Sequence, residues 1–275
     1  MTPREAKLYS AYLEKAAITI SRDRSYPLDI ELLCKDLDIQ LRTDARDVSR
    51  AQLEVNGQTC RLNVAPANPS LARFYVAHEI GHALLFREYG VLPSGESEYW
   101  QHELLCDSFA RHLLLPDVTV RGIGGDDFID AKSALYRIHQ IAARYGVPSC
   151  HVVAIRLREE YPSLGVFELS RRTDRDSNRA SLSTEFKVSF SSLPGKKAIG
   201  TLISSNDPNF TALSRIQAQG SEGGEIDGAA LLRALFPKRC CETTCTASAF
   251  AIGTRGRIRV AVVSNFLEKG SEGEN

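Results

Sequence analysis

Up to about residue 160 the apolar positions recur with helical spacing, and beyond it they come in short alternating runs. Thr2-Pro3-Arg4-Glu5 has the form of a helix start, with Thr2 as N-cap, Pro3 at the first helical position and Glu5 closing a capping box. Tyr9, Leu13, Ala16 and Ile20 follow at helical spacing, which predicts one amphipathic helix. A second is expected to begin near Asp29, to carry Leu32, Leu33 and Leu37, and to pass into a strand at "DIQLRTD". Residues 51–64, "AQLEVNGQTCRLNV", read as a hairpin, with Asn56-Gly57 as the central pair of a type I′ turn, where both residues need positive φ. The next helix holds "RFYVAHEIGHALLF" (73–86), capped by Asn68 or Ser70 and stopped near Gly90. A polar loop, "YGVLPSGESEY", separates it from "WQHELLCDSFARHLLLP", a helix ended by Pro116.

The glycines and charges of "VRGIGGDDF" then suggest an interdomain connection. Two further helical runs span 131–160, joined by Gly146-Val147-Pro148. After Pro162 the β-like runs "LGVFELS", "EFKVSFS" and "IRVAVVSNF" alternate with Gly/Ser/Asp-rich loops and one helix near 226–236, and "KGSEGEN" reads as a disordered tail. The expected fold class is α+β, in three parts: 1–122, 123–162 and 163–275.

Composition narrows the function classes. Lys+Arg and Asp+Glu both total 34, so the formal net charge is zero and no whole-protein attraction to nucleic acid or anionic membrane is expected. The N-terminal "MTPREAKLYS" lacks the form of a signal peptide and no apolar run reaches spanning length, which makes a cytoplasmic location the default expectation. Seven cysteines, an odd and mostly scattered set, do not read as a disulfide framework.

The chemistry lies in "HEIGH". His78 and His82 are four residues apart, which on a helix stacks two imidazoles on one face about 6 Å apart along the axis, close enough to grip one ion. Glu79 lies at the margin of that face, placed to take a proton from a water at the ion without ligating it. The flanking Val76, Ala77, Leu84 and Leu85 are apolar, so an unengaged Glu79 there would cost several kcal/mol, roughly.

A catalytic zinc needs three protein ligands and one open position. The following helix offers Glu103, with Asp107 one turn later and Ala110 and Leu114 continuing the same face. Asp107 is placed to accept a ring N–H from a ligating histidine and so fix its tautomer. Glu96, Glu98, His102 and His112 are the rival third ligands; His102, the nearest, points about 100° away around the helix. Zn²⁺ suits two imidazoles and a carboxylate, as do other divalent first-row ions. His102, His112, Tyr75 and Tyr99 are all candidates for stabilising an oxyanion.

Taken together, "NGQTCRLNV", "RFYVAHEIGHALL" and "HELLCDSFARHLLLP" resemble the ImmA/IrrE metallopeptidases over about residues 26–120. The shared pattern is a strand ending in Asn (Asn63), the Phe-x-x-Ala-His-Glu-x-x-His helix, and a following helix reading E-x-x-x-[ND]-x-x-A-x-x-L-L-x-P, with Asp107 in the Asn/Asp position. The resemblance implies a zincin-like peptidase domain at 1–122, with His78, His82 and Glu103 as metal ligands and Glu79 as base. It implies a helix-turn-helix-like segment at 123–162, where "IAARYGVPSCHVVAIRL" has the form of helix, turn and helix, and a GAF-like α+β sensor domain at 163–275. Its implied partner is a helix-turn-helix transcriptional repressor, cleaved to release a stress-response or mobile-element regulon. The hairpin at 51–64 would offer an edge strand for an extended substrate segment.

Two other readings follow from the residues. A metal-containing DNA-binding regulator without proteolysis would use Arg137, Arg144, Arg156 and Arg158 on phosphates, although Glu159-Glu160 and the neutral chain argue against direct DNA binding. A redox sensor would use Cys240, Cys241 and Cys245, which lack the paired C-x-x-C spacing of a good zinc site.

Overall fold

The structure is a computed structural model and describes residues 1–43, 51–57, 59–65, 69–90, 95–116, 120, 130–146, 150–173, 182–193, 198–219, 223–236, 245–252, 257–264 and 267. The expected connection at 120–128 and the tail, like Cys240 and Cys241, lie outside these, apart from Val120. The chain divides into two compact units, one of Met1–Ile123 with Gln140–Arg156 and one of Gly124–His139 with Leu157–Asn275. Both mix helices with sheet, so the class is α+β. Among the described residues no helix is long and apolar enough to cross a membrane.

In the N-terminal unit, α1 (Pro3–Ser21) starts on the expected capping box: Glu5 N–H donates to Thr2 Oγ1 at 3.2 Å and Thr2 N–H to Glu5 Oε2 at 2.6 Å. Its buried stripe is Tyr9, Leu13, Ala17 and Ser21, so the register drifts from the expected Ala16 and Ile20 by one position in its second half. Asp29 caps α2 (Ile30–Asp36), accepting from Leu32 N–H at 3.0 Å. The strands β1 (Ile39–Arg42), β2 (Ala51–Asn56) and β3 (Thr59–Val64) form a sheet of order β1-β3-β2, with β1 parallel and β2 antiparallel to β3. Pairing of Asn56 with Thr59 moves the hairpin turn one residue beyond the expected Asn56-Gly57: Gly57, at φ +58°, is its first residue.

Two long helices complete this unit, α3 (Pro69–Tyr89) and α4 (Glu96–Leu114). Gly90 ends α3 at φ +66°, its N–H reaching Phe86 O at 2.7 Å, the left-handed stop for which glycine carries no Cβ penalty. The second helix starts four residues before the expected Trp100, because Glu96 and Glu98 sit in its first turn, where carboxylates favour the positive end of the helix dipole. Leu33, Cys60, Leu62, Val76, Ile80, Leu85, Phe109 and Leu113 make one core cluster across α2, β3, α3 and α4. Each such fully buried aliphatic or aromatic side chain contributes roughly 1.5–3 kcal/mol.

Two helices follow, α5 (Ala131–Tyr145) and α6 (Cys150–Glu160), both at the expected places. The C-terminal unit is built on a six-stranded antiparallel sheet of β4 (Leu164–Thr173), β5 (Leu182–Ser191), β6 (Leu202–Ser204), β7 (Gly224–Glu225), β8 (Cys245–Ile252) and β9 (Arg257–Ser264), in the order β6-β5-β4-β9-β8-β7. Helices α7 (Pro208–Gln219) and α8 (Gly228–Leu235) pack Leu213, Ile216, Leu231 and Leu232 onto Phe167, Leu169, Val260 and Val262 of one sheet face. Asp227 caps α8 through Ala230 N–H at 2.9 Å, and buried Asn209 of α7 makes two hydrogen bonds to the Asp227 backbone, tying the two helix starts together. On the other sheet face Glu168 and Arg259 stand directly opposite across β4 and β9, with Arg259 Nε 3.0 Å from Glu168 Oε1. This pair is buried (Glu168 2%, Arg259 5%), so removing one partner alone would strand a charge and cost about 3–5 kcal/mol.

Candidate metal centre

The close approach of α3 and α4 makes the site. A Cβ added at Gly81 would lie 3.1 Å from Phe109 Cδ1 and 3.2 Å from Cys106 Sγ, so at the glycine inside "HEIGH" the two helices are in close contact. Ala77 and Ala110 are both fully buried and keep the neighbouring turns small. With the helices in that contact, Glu103 and Asp107 of α4 face His78 and His82 of α3.

The ligand atoms of His78, His82 and Glu103 lie within 4.8 Å of one another. The two Nε2 atoms are 3.1 Å apart; Glu103 Oε1 is 3.1 Å from His82 Nε2 and its Oε2 is 3.4 Å from His78 Nε2. The two imidazoles are only 10% and 11% exposed and Glu103 26%, so the cluster is shielded yet open on the carboxylate side. Among the described residues this is the set of His, Cys, Asp and Glu side chains that converges in this way.

Asp107 Oδ1 lies 2.8 Å from His78 Nδ1. With Nδ1 donating to that carboxylate, the Nε2 lone pair of His78 points at His82 Nε2 and Glu103. Two imidazole lone pairs at 3.1 Å repel each other unless a proton or a cation lies between them. Burial pulls the His78 pKa down, but the Asp107 hydrogen bond and charge, with Glu103 and Glu79 behind them, outweigh it and leave it raised. His82 goes the other way: burial, then the charges of His78 and His102, lower it to about 3, so this ring is neutral at ordinary pH and ready as a ligand. Two imidazole nitrogens and one carboxylate oxygen from two helices form a donor set that fits a divalent first-row ion such as Zn²⁺, which would displace any proton held on His78 Nε2.

Glu79 sits next to the first histidine and outside the ligand cluster. Its Oε2 accepts a hydrogen bond from the backbone N–H of Leu53 in β2 at 3.1 Å. Burial pushes its pKa up to about 7, opposed by the His78 charge and the Leu53 N–H. A carboxyl group near 7 is suited to accepting and returning protons at neutral pH.

The rival ligands of the sequence reading go elsewhere. His102 is buried (1% exposed) with its ring edge-on to Tyr9 at 5.9 Å. Glu98 lies 2.8 Å from the Met1 amino group, Glu96 is in the first turn of α4, and His112 Nδ1 is 2.9 Å from Ser108 O of its own helix. Tyr75 packs edge-on against Phe74, and Tyr99 lies on the exposed side of α4. Sequence reasoning missed the Leu53–Glu79 hydrogen bond; the alternating β2 run was its only signal, and which edge N–H faces the helix depends on register.

Residues 34–158 match the family model Peptidase_M78, described as the IrrE N-terminal-like domain. No curated protein sequence matches the chain. Among solved structures, a Mycobacterium tuberculosis transcriptional regulator is similar over 92% of this chain and 75% of its own, with 18% sequence identity and a TM-score of 0.51, a likeness of fold. Residues 34–158 are thus similar to the IrrE N-terminal-like domain, the stretch that carries His78, Glu79, His82 and Glu103.

Proposed function

We propose that the protein is a zinc-dependent endopeptidase that hydrolyses a peptide bond in a helix-turn-helix transcriptional repressor and so derepresses a stress-response or mobile-element regulon. The observation that carries this reading is the convergence of His78, His82 and Glu103, with Glu79 beside them but outside the ligand set. The family supports a metallopeptidase, and the structural neighbour's name, a transcriptional regulator, agrees with a role in gene control.

In this reading His78, His82 and Glu103 hold the metal, and Asp107 orients His78 through Nδ1. The ion, when bound, supplies Lewis acidity toward the scissile carbonyl and lowers the pKa of water. Glu79 takes the proton of the attacking water on its carboxylate and delivers it to the leaving amine nitrogen. The Leu53 N–H holds Glu79 Oε2, so one carboxylate oxygen is fixed and the other is left for that proton. The edge strand β2 supplies main-chain groups for an extended substrate segment. The domain plan stays as the resemblance implies, with a helix-turn-helix-like middle segment and a GAF-like sensor at 163–275.

The test is to incubate the zinc-loaded protein with a purified helix-turn-helix repressor encoded beside it. One discrete cut, lost on chelation and restored by zinc, is expected; an intact repressor in every condition contradicts the proposal. Of the four arginines the DNA-binding alternative needs, Arg144 is exposed but two are withdrawn. Arg156 is 2% exposed and donates from Nε to Leu115 O at 3.3 Å, and Arg158 is 7% exposed and donates to Leu267 O at 3.1 Å, leaving neither guanidinium on the surface. A gel shift with a steep salt dependence would revive it.

A further inference from the structure

The face of α4 just past the candidate ligand Glu103 is exposed and apolar. Leu104 is 68% exposed, Trp100 60% and Tyr99 45%, and the rings of Tyr99 and Trp100 meet edge-to-face at 5.5 Å. Isolated exposed apolar residues are ordinary. Here three occur together, two of them aromatic, in the arrangement that binding surfaces favour.

Helix geometry fixes where they lie relative to the metal site. At about 100° per residue, Asp107 is about 40° around the helix from Glu103, Trp100 about 60° and Leu104 about 100°, all in one direction. In the opposite direction lie His102, Cys106 and Ala110, all 1% exposed or less, and Tyr99, about 40° from Glu103 in the first turn of the helix. Glu103 therefore stands on the border between the core-facing side of α4 and a solvent-facing apolar strip. Trp100 and Leu104, i and i+4, stack on that strip on one side of Glu103. A polypeptide bound at the metal ligands on the solvent side of α4 has these side chains within reach.

Resting on the peptidase reading, we infer that Trp100 and Leu104, with the Tyr99 ring bracing Trp100, determine substrate specificity: Trp100 and Leu104 bind a bulky apolar side chain of the substrate within a few residues of the scissile bond. The occupant is the substrate chain itself, because the strip is continuous with the ligand face at which that chain must be cut. Its chemistry is aliphatic or aromatic: the Trp100 and Leu104 side chains give a charged side chain no compensation for lost hydration, whereas an apolar one gains from the surface it buries against them.

Trp100 is the only tryptophan in the chain, so its fluorescence reports on this strip directly. The first arm of the test exposes the zinc-loaded full chain to a random-sequence peptide library and sequences the products. Cuts should be enriched in Leu, Ile, Phe and Met beside the scissile bond. Trp100→Ala and Leu104→Ala, at exposed positions, should keep wild-type metal content and reduce that enrichment about tenfold. The second arm titrates the Glu79→Gln chain with a peptide chosen from the cut set and with the same peptide carrying serine in place of its apolar residue. The apolar peptide should shift Trp100 emission to the blue and shield it from acrylamide, and the serine peptide should do neither. Cleavage without apolar preference, or preference intact in both alanine variants, overturns the assignment while leaving the peptidase reading standing. A library left uncut with Trp100 unshifted overturns both. A blue shift that grows with protein concentration in the absence of peptide assigns the strip to a second copy of the chain and overturns it as a substrate contact.

Discussion

His78 of α3 and Asp107 of α4 are joined by a 2.8 Å contact between Nδ1 and Oδ1, which turns Nε2 of the histidine toward His82 and Glu103. One carboxylate thus holds the ring of a candidate ligand and links the two helices that carry the site. Asp107→Asn keeps the shape but can present its amide N–H₂ to Nδ1, which would send the lone pair the wrong way. Zinc affinity, measured by competition with a chelating dye, is expected to fall about 10–100-fold in Asp107→Asn, with the fold intact by circular dichroism. Unchanged affinity would mean that the contact does not orient His78.

Gly81 tests how closely the helices must approach. Replacement by alanine brings a methyl group to 3.1 Å from Phe109 and 3.2 Å from Cys106, both buried and unable to swing into solvent. Overpacking of this kind typically costs about 1–3 kcal/mol. Thermal denaturation of Gly81→Ala should show a lower midpoint, and zinc affinity should fall with it because Glu103 is pushed back. A midpoint equal to or above that of the wild type, as helix propensity alone would give, contradicts the packing argument.

Alkaline pH provides a check away from the metal. The Tyr26 hydroxyl donates to Leu113 O at 2.9 Å, and burial, followed by smaller opposing effects of Ser21 and Arg24, pushes its pKa up to about 12. A pKa raised in the folded state favours the protonated phenol, so the contribution is fully present below about pH 10 and is lost as pH rises through about 12. Stability measured by urea denaturation should therefore decline more steeply between pH 10 and 12 in the wild type than in Tyr26→Phe. Near pH 8 the variant should be the weaker by about 1 kcal/mol, the worth of its hydrogen bond. Parallel curves across pH 10–12 would show that folding leaves the Tyr26 pKa unshifted.

The helical half was legible because its signals are local. Capping at Thr2 and Asp29, the stop at Gly90 and the i, i+4 pairing of His78 with His82 each need only a few neighbouring residues. The convergence of Glu103 on those histidines could be read because a second amphipathic helix with one polar face has few places to put it. The C-terminal unit was harder to read. Helix α7, "PNFTALSRIQAQ", and strand β8, "CTASAFAI", passed unremarked, since their small and hydroxyl-bearing residues carry little propensity and their order comes from packing on the sheet. The hairpin turn fell one residue late because strand register, set by the facing of Leu53 and Val55 toward the core, overrode the Asn-Gly signal.

The central claim is that Glu79 moves the proton while His78, His82 and Glu103 hold the metal. It is tested most directly by Glu79→Gln, assayed for zinc content and for cleavage of the repressor in the same preparation. The account predicts one zinc bound per chain, as in the wild type, with cleavage reduced by about 10²–10⁴-fold, the usual weight of a general base. Persistent cleavage at the wild-type rate, or loss of zinc together with activity, would contradict it.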